Sequence, residues 1–235
     1  MKVYSDKLFD HVIEYGQNQV YSDIRFKRCV FQSCAFSVTD DPKMRSIVRN
    51  IEVVKCKGPS SSVGPAIVED CLIDGFHTSN GFFYLKATAF KHVTFRGKLG
   101  RFFFFELPTH AGFEGMYEVH AAFAAANAEY YRNVDWAIDI SQAEFLNVDL
   151  RSVPPLLIRR DPESQILLTR KRVAESDWEN LPYAWDLVPN TLSYFIKNQT
   201  ELNEIVFVAP KRSTHAKKLL HDIALLRREG IPEPD

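Results

Sequence analysis

Ile138-Asp-Ile-Ser-Gln142, Ala143-Glu-Phe-Leu-Asn147 and Val148-Asp-Leu-Arg-Ser152 stand end to end in this chain. Each block runs from a small or branched residue through a polar one to a large apolar one. It then closes on two largely polar positions. The same beat occurs in Ile24-Arg-Phe-Lys-Arg28, Cys29-Val-Phe-Gln-Ser33 and Cys34-Ala-Phe-Ser-Val38. A repeat of five matches neither the helix period of about 3.6 nor the strand period of about 2. A fixed short repeat marks a solenoid, whose units bury their apolar residues only against one another. One block then makes one short side of a coil, about four blocks close a turn, and the central Phe or Leu fills the interior.

Outward from these blocks the series continues in patches. Val53, Val68 and Ile73 carry it, followed by Leu85, Phe90 and Phe95, and Val93-Thr-Phe-Arg-Gly97 is the cleanest single unit. Polar loops at Thr39–Ser46 and Lys57–Ser62 interrupt it. Ser5–Tyr15 spaces Leu8, Phe9, Val12, Ile13 and Tyr15 largely as a short helix would, with Ser5 as N-cap and Gly16 as stop. This predicts a helical or irregular N-terminal cap over residues 1–20. The alanine-rich run Met116–Tyr131 predicts a helix inserted at about 112–134, with Met116, Val119, Phe123 and Tyr130 on one face. The expected solenoid spans 21–158, and the beat stops after Pro154-Pro155.

Residues 159–235 read as a C-terminal α+β cap or extension. Gln165–Arg170 and Glu204–Ala209 are strand-like, and Thr191–Gln199 is helical. Ser213–Glu229 is the strongest helix, with Ser213 as N-cap, Gly230 as stop and Ala216, Leu219, Leu220, Ile223 and Leu226 buried. The fold class expected is mainly β with added helices.

Composition sets the outer bounds. With 46% hydrophobic and 25% charged residues, the chain matches ordinary soluble proteins. The first residues lack the apolar run of a secretory signal, and no stretch reaches the roughly 20 apolar residues of a membrane span. A cytoplasmic protein without membrane contact is the expectation. Cys29, Cys34, Cys56 and Cys71 each open a five-residue block, so their thiols are expected to point inward as small hydrophobes. A net charge of −1 gives no reason to expect a nucleic-acid partner. The charge is uneven, however. Glu114, Glu118, Glu129, Asp135, Asp139, Glu144 and Asp149 stand against Arg132 alone. That stretch reads either as a solvated face or as a docking surface for a basic partner.

These blocks resemble the pentapeptide-repeat proteins, whose unit is a small residue, Asp or Asn, Leu or Phe, then two polar residues. Ala143–Asn147, Val148–Ser152 and Val93–Gly97 carry the resemblance, in patches between positions 24 and 152. It implies a right-handed quadrilateral β-helix, from whose pattern the loops, the inserted helix and the frequent Phe in place of Leu depart. Some members of that family bind topoisomerases by resembling DNA, which needs an acidic rod that these repeats do not supply. In style the chain also resembles bacterial immunity proteins, which neutralise a toxin by occlusion.

No nucleotide-binding, hydrolase or metalloprotease motif occurs, and the seven histidines are scattered. No cofactor or metal is expected. The carboxylates Asp70, Asp74, Asp139, Glu144 and Asp149 keep open a carbohydrate-binding or carbohydrate-active β-helix as the alternative. The aromatic stretch holding Trp178, Tyr183 and Trp185 reads as a partner interface or as anchors pinning the cap. The function expected is a non-catalytic module that binds a protein partner, such as a basic toxin domain.

Overall fold

The computed structural model describes residues 1–106 and 116–234. The chain forms two compact units, Met1–Arg159 and Arg160–Asp235.

The first unit is mainly β. It begins with β1 (Lys2–Ser5), β2 (Leu8–Asp10), β3 (Ile13–Tyr15), β4 (Val20–Lys27), β5 (Val30–Gln32) and β6 (Ala35–Val38). Then come β7 (Ser46–Val54), β8 (Ser62–Val63), β9 (Ala66–Glu69), β10 (Leu72–Asp74), β11 (Phe82–Lys86), β12 (Ala89–Lys91) and β13 (Val93–Phe105). Helix α1 (Met116–Tyr131), β14 (Ile138–Asp149) and β15 (Ile158–Arg159) complete it. Most of these strands join one large, curled sheet in which every pairing is parallel. Tyr4 lies beside Phe26, Phe26 beside Val53, Val53 beside Ile73 and Ile73 beside Phe95. Successive partners are thus about 20 to 27 residues apart along the chain, the span of four to five blocks.

The five-residue beat is written into the backbone. Positive φ angles recur at Asp23, Arg28 and Ser33, at Asn50, Lys55 and Ser60, at Asp70 and Gly75, and at His92 and Gly97. Each such residue turns the chain at a block boundary, because the left-handed region reverses direction within one residue. Between corners the short strands present their central residue inward. Tyr4 stacks on Phe26 at 5.4 Å and Phe9 on Phe31 at 5.1 Å, so neighbouring passes stack ring on ring. Further along, Phe90, Phe95, Phe102, Phe104 and Phe145 are buried and pack ring against ring.

The small inward positions follow a rule of their own. The thiol of Cys29 donates to the carbonyls of Lys27 and Tyr4, and that of Cys56 to those of Val54 and Phe26. Ser61 does the same with Pro59 and Phe31. In each case one acceptor lies two residues back and the other on the preceding pass. Cys29, Cys56 and Cys71 are buried and Cys34 half-buried, all as free thiols. Burial pushes Cys56 and Cys71 up to about 11, where the thiolate is scarce at neutral pH.

The N-terminal expectation needs correction. Residues 1–20 form no helix but carry three strands paired in parallel with β4, β5 and β6. Tyr4 and Phe9 are themselves five apart and sit in register with Phe26 and Phe31, so pairing with the next pass overrides a weak helical spacing.

The second unit is α+β. Strand β16 (Gln165–Thr169) leads into α2 (Arg170–Ala174), α3 (Leu187–Asn198), β17 (Glu204–Val208) and α4 (Ala216–Arg228). Its two strands pair antiparallel, and its core gathers Ile166, Leu168, Leu192, Phe195, Leu219 and Ile223 among others. In α4 the expected face is nearly right, but Leu220 is exposed and Leu225 is buried. Ser213 does not directly cap α4. Its hydroxyl accepts from the N–H of His215, which holds the N-cap position.

Candidate functional site

The acidic stretch is dispersed and largely matched by its own neighbours. Glu114 lies outside the described residues. Glu118 is exposed on α1, and Glu129 on the same helix pairs with Arg132. Asp135 accepts from His92 Nε2 at 2.6 Å, a contact that draws its carboxyl below the ordinary range. His92 Nδ1 lies 3.3 Å from Asp70, so one imidazole bridges two carboxylates. Its ring packs 4.7 Å from Trp136, over which Arg159 sits at 4.1 Å. Asp139 accepts from the N–H and hydroxyl of Ser141, and Asp149 pairs with Arg151 at 2.8 Å. Glu144 is half-buried beside Lys98 in the β13–β14 register.

Helix α1 is fastened from one side. Phe123 is buried, and Asn127 accepts from Arg45 while donating to the carbonyl of Ala87. The Tyr130 hydroxyl donates to Glu69 at 2.8 Å, and the Tyr131 hydroxyl accepts from the N–H of Phe90. Burial, first of all, pushes both phenols upward.

In the second unit Trp178 is a core residue, 7% exposed. Trp185 is partly buried and stacks on His215 at 4.4 Å. The buried carboxylate of Asp222 accepts from the N–H groups of Ala184 and Trp185, which pins that loop to α4. The Tyr183 hydroxyl is buried without a partner among the described residues. Burial and the nearby Asp222 push it up to about 12.

The most distinctive surface is one that the sequence reading missed. Strands β3, β6, β8, β11 and β13 pair in that order, placing Ile13 beside Ala35, Ala35 beside Ser62, Ser62 beside Tyr84 and Tyr84 beside Phe103. Alternation along a strand decides which residues face in. On β13, Phe102 and Phe104 are buried, so Phe103 and Phe105 face out. On β11, Phe83 packs inward on Phe76 and Phe102, so Phe82 and Tyr84 face out. These four outer rings form a cluster with centroids 5.2 to 6.4 Å apart. Arg151 lies 5.1 Å over Phe103. The same column continues toward β3 with Tyr15 beside Val38, and Ile13, Tyr15, Val38 and Tyr84 are all exposed. The result is an aromatic cluster on β11 and β13 and a second apolar group on β3 and β6, with Ser62 of β8 between them in the same column. The signal for the cluster lay in the runs Phe82-Phe-Tyr84 and Phe102–Phe105, since a strand of consecutive aromatics must turn half of them outward.

Among the described residues no group of three His, Cys, Asp or Glu side chains is placed to hold a metal ion. No described helix is long and apolar enough to cross a membrane. No family model, no curated protein and no solved structure matches this chain.

Proposed function

We propose that the chain is a non-catalytic protein-binding module that docks a partner through the outward aromatic cluster. One observation carries this reading: Phe82, Tyr84, Phe103 and Phe105 form a clustered aromatic surface flanked by Arg151. Aromatic and arginine side chains dominate the energy of protein interfaces, because they bury much area at little conformational cost. A contiguous exposed apolar patch is a cost to an isolated soluble protein unless something covers it. A stiff parallel sheet presents that patch with little ordering penalty on binding. We read the sheet itself as a right-handed, pentapeptide-like β-helix. Left-handed corners at five-residue spacing and partners 20 to 27 residues apart support that architecture. The acidic residues are the less favoured docking face, because Asp149 and Glu129 already pair with arginines and Asp135 is already bonded to His92.

The test is capture from the native host with the tagged wild-type chain beside Tyr84→Arg and Ile13→Arg variants. Both positions are exposed, so thermal unfolding should be unchanged. A stoichiometric partner retained by the wild type and lost by the variants is the expected outcome. A toxic partner would make the module an immunity protein. Retention by the variants would move docking off this column, and an empty wild-type bait would overturn the binding-module reading.

A further inference from the structure

A groove lies elsewhere on the first unit. Its volume is about 630 Å³, and it is lined by Arg28, Lys55, Lys57, Asp74, His77 and Lys98. One corner column explains its shape. Arg28 and Lys55 occupy that corner on two successive passes, and Gly75 and Gly97 occupy it on the next two. Backbone hydrogen bonds from Arg28 to Val54, from Lys55 to Asp74 and from Gly75 to Arg96 hold the four in line. The glycines bring no side chain, so the corner is notched there and backbone forms the floor. A Cβ on Gly75 would stand 3.7 Å from Lys55 Cγ. Lys57 bridges to Val30 on one side and His77 on the other, which sets the adjoining wall.

Charge in the groove is unbalanced. Arg28 is engaged by Asp6 at 2.6 Å, and Asp74 by Arg96 at 2.9 Å. Those two carboxylates are thereby matched, whereas Lys55, Lys57 and Lys98 enter no ion pair among the described residues, Glu144 standing beside Lys98 in the strand register. Lys55 and Lys57 line the groove from one pass and Lys98 from a pass two strand spacings of about 4.8 Å away, and their like charges add to a positive potential there.

We infer that this groove binds a ligand of linked phosphates, either a bare oligophosphate chain or the phosphate tail of a nucleotide. A compact multianion offers several charges within two strand spacings. An extended acidic peptide turns a carboxylate to the same side only about every 6.8 Å, so it delivers fewer. Lysine also fits this chemistry. Its ammonium is a point charge with three rotatable donors, suited to phosphate oxygens from several directions, whereas planar carboxylates favour the guanidinium fork.

Titration calorimetry of the full chain with inorganic triphosphate tests the inference, with ATP, orthophosphate and a pentaglutamate peptide as comparators. Saturable one-to-one binding of triphosphate, weakening as salt is raised, is expected. ATP binding more tightly than triphosphate would identify a nucleotide tail as the source, and equal binding a bare chain. Lys55→Ala/Lys57→Ala/Lys98→Ala should weaken binding at least about tenfold, and Lys57→Ala alone about threefold. Lys217→Ala/Lys218→Ala, on exposed positions of α4, should leave it unchanged. No saturable heat, triphosphate no better than orthophosphate, tighter pentaglutamate binding, or unaltered binding by both lysine variants would each overturn the inference.

Discussion

Among the described residues, fourteen non-glycine residues hold positive φ angles between 42° and 59°, a conformation that L-residues ordinarily avoid at about 1 kcal/mol or more each. The fold offsets much of this with side-chain ladders along its corners. Asp6 accepts from Arg28 on the next pass, Asn50 donates to Asp23 at 2.5 Å, and His92 reaches Asp70. Polar corner residues therefore trade local strain for contacts between passes. Ser60 holds a φ of 54°, is exposed, and makes no such side-chain contact among the described residues. Ser60→Gly should accordingly raise stability by about 0.5–1 kcal/mol, since glycine meets no Cβ penalty there. Gly64 is the opposite case. Its φ is 107°, and a Cβ would lie 2.1 Å from the carbonyl oxygen of Lys86, a backbone atom that cannot swing aside. Gly64→Ala should cost at least about 2 kcal/mol. Urea midpoints at constant slope check both substitutions, and a lower midpoint for Ser60→Gly would refute the corner argument.

At the scale of elements, Glu69 ties three together. On β9, its carboxylate accepts from Arg49 of β7 at 2.8 and 2.6 Å, and from the Tyr130 hydroxyl of α1. Burial pushes this carboxyl up, but the Arg49 and Tyr130 donors outweigh it, and the net direction is below the ordinary 4.5. A group depressed in the folded state stabilises fully above its unfolded pKa, and that contribution fades as pH falls through the folded value. Glu69→Gln should thus cost about 1–2 kcal/mol at pH 7, and the gap from wild type should narrow below pH 4.5. Urea midpoints at pH 7 and near pH 3 measure this. A gap constant with pH would remove the carboxylate's role. Legibility followed the strength of local signals. Alanine content placed α1 at Met116–Tyr131, whereas the beat at Ile138–Ser152, read as three short sides of a coil, falls largely on the single strand β14, with no positive φ inside it. Residues 1–20 misled because Tyr4 and Phe9 acquire meaning only beside Phe26 and Phe31. The aromatic cluster was hidden for the same reason: its members come from separate strands, and only the register brings Tyr84 to Phe103. Asp222 gave no signal at all, since an aspartate on an amphipathic helix reads as solvated until its acceptors meet Ala184 and Trp185.

At the scale of the whole molecule, two cores of different character share one chain. In Met1–Arg159 rings on paired parallel strands stack on one another, as Tyr4 does on Phe26 and Phe9 on Phe31. Arg160–Asp235 has a single core in which α3 and α4 bury Leu192, Phe195, Leu219, Ile223 and Leu226 with Ile166, Leu168 and Phe207 of the hairpin-like pair β16–β17. Trp178, Val173 and Ile231 close it. Arg170 adds four polar ties inside the same unit, donating to the carbonyls of Leu202, Ile196, Phe195 and Gln199. Those carbonyls lie at and beyond the end of α3, where unpaired backbone acceptors need donors. A unit complete in core and caps should fold alone, although domains of this size retain only a few kcal/mol of stability. The fragment 160–235 is therefore expected to be soluble, helical by circular dichroism and cooperative in urea. Arg170→Ala should lower its unfolding free energy by about 2 kcal/mol, read as a lower urea midpoint, because it leaves four carbonyls without their donor. An unfolded wild-type fragment would show that the second unit draws its stability from the first, and that the self-contained core inferred from its side chains is insufficient.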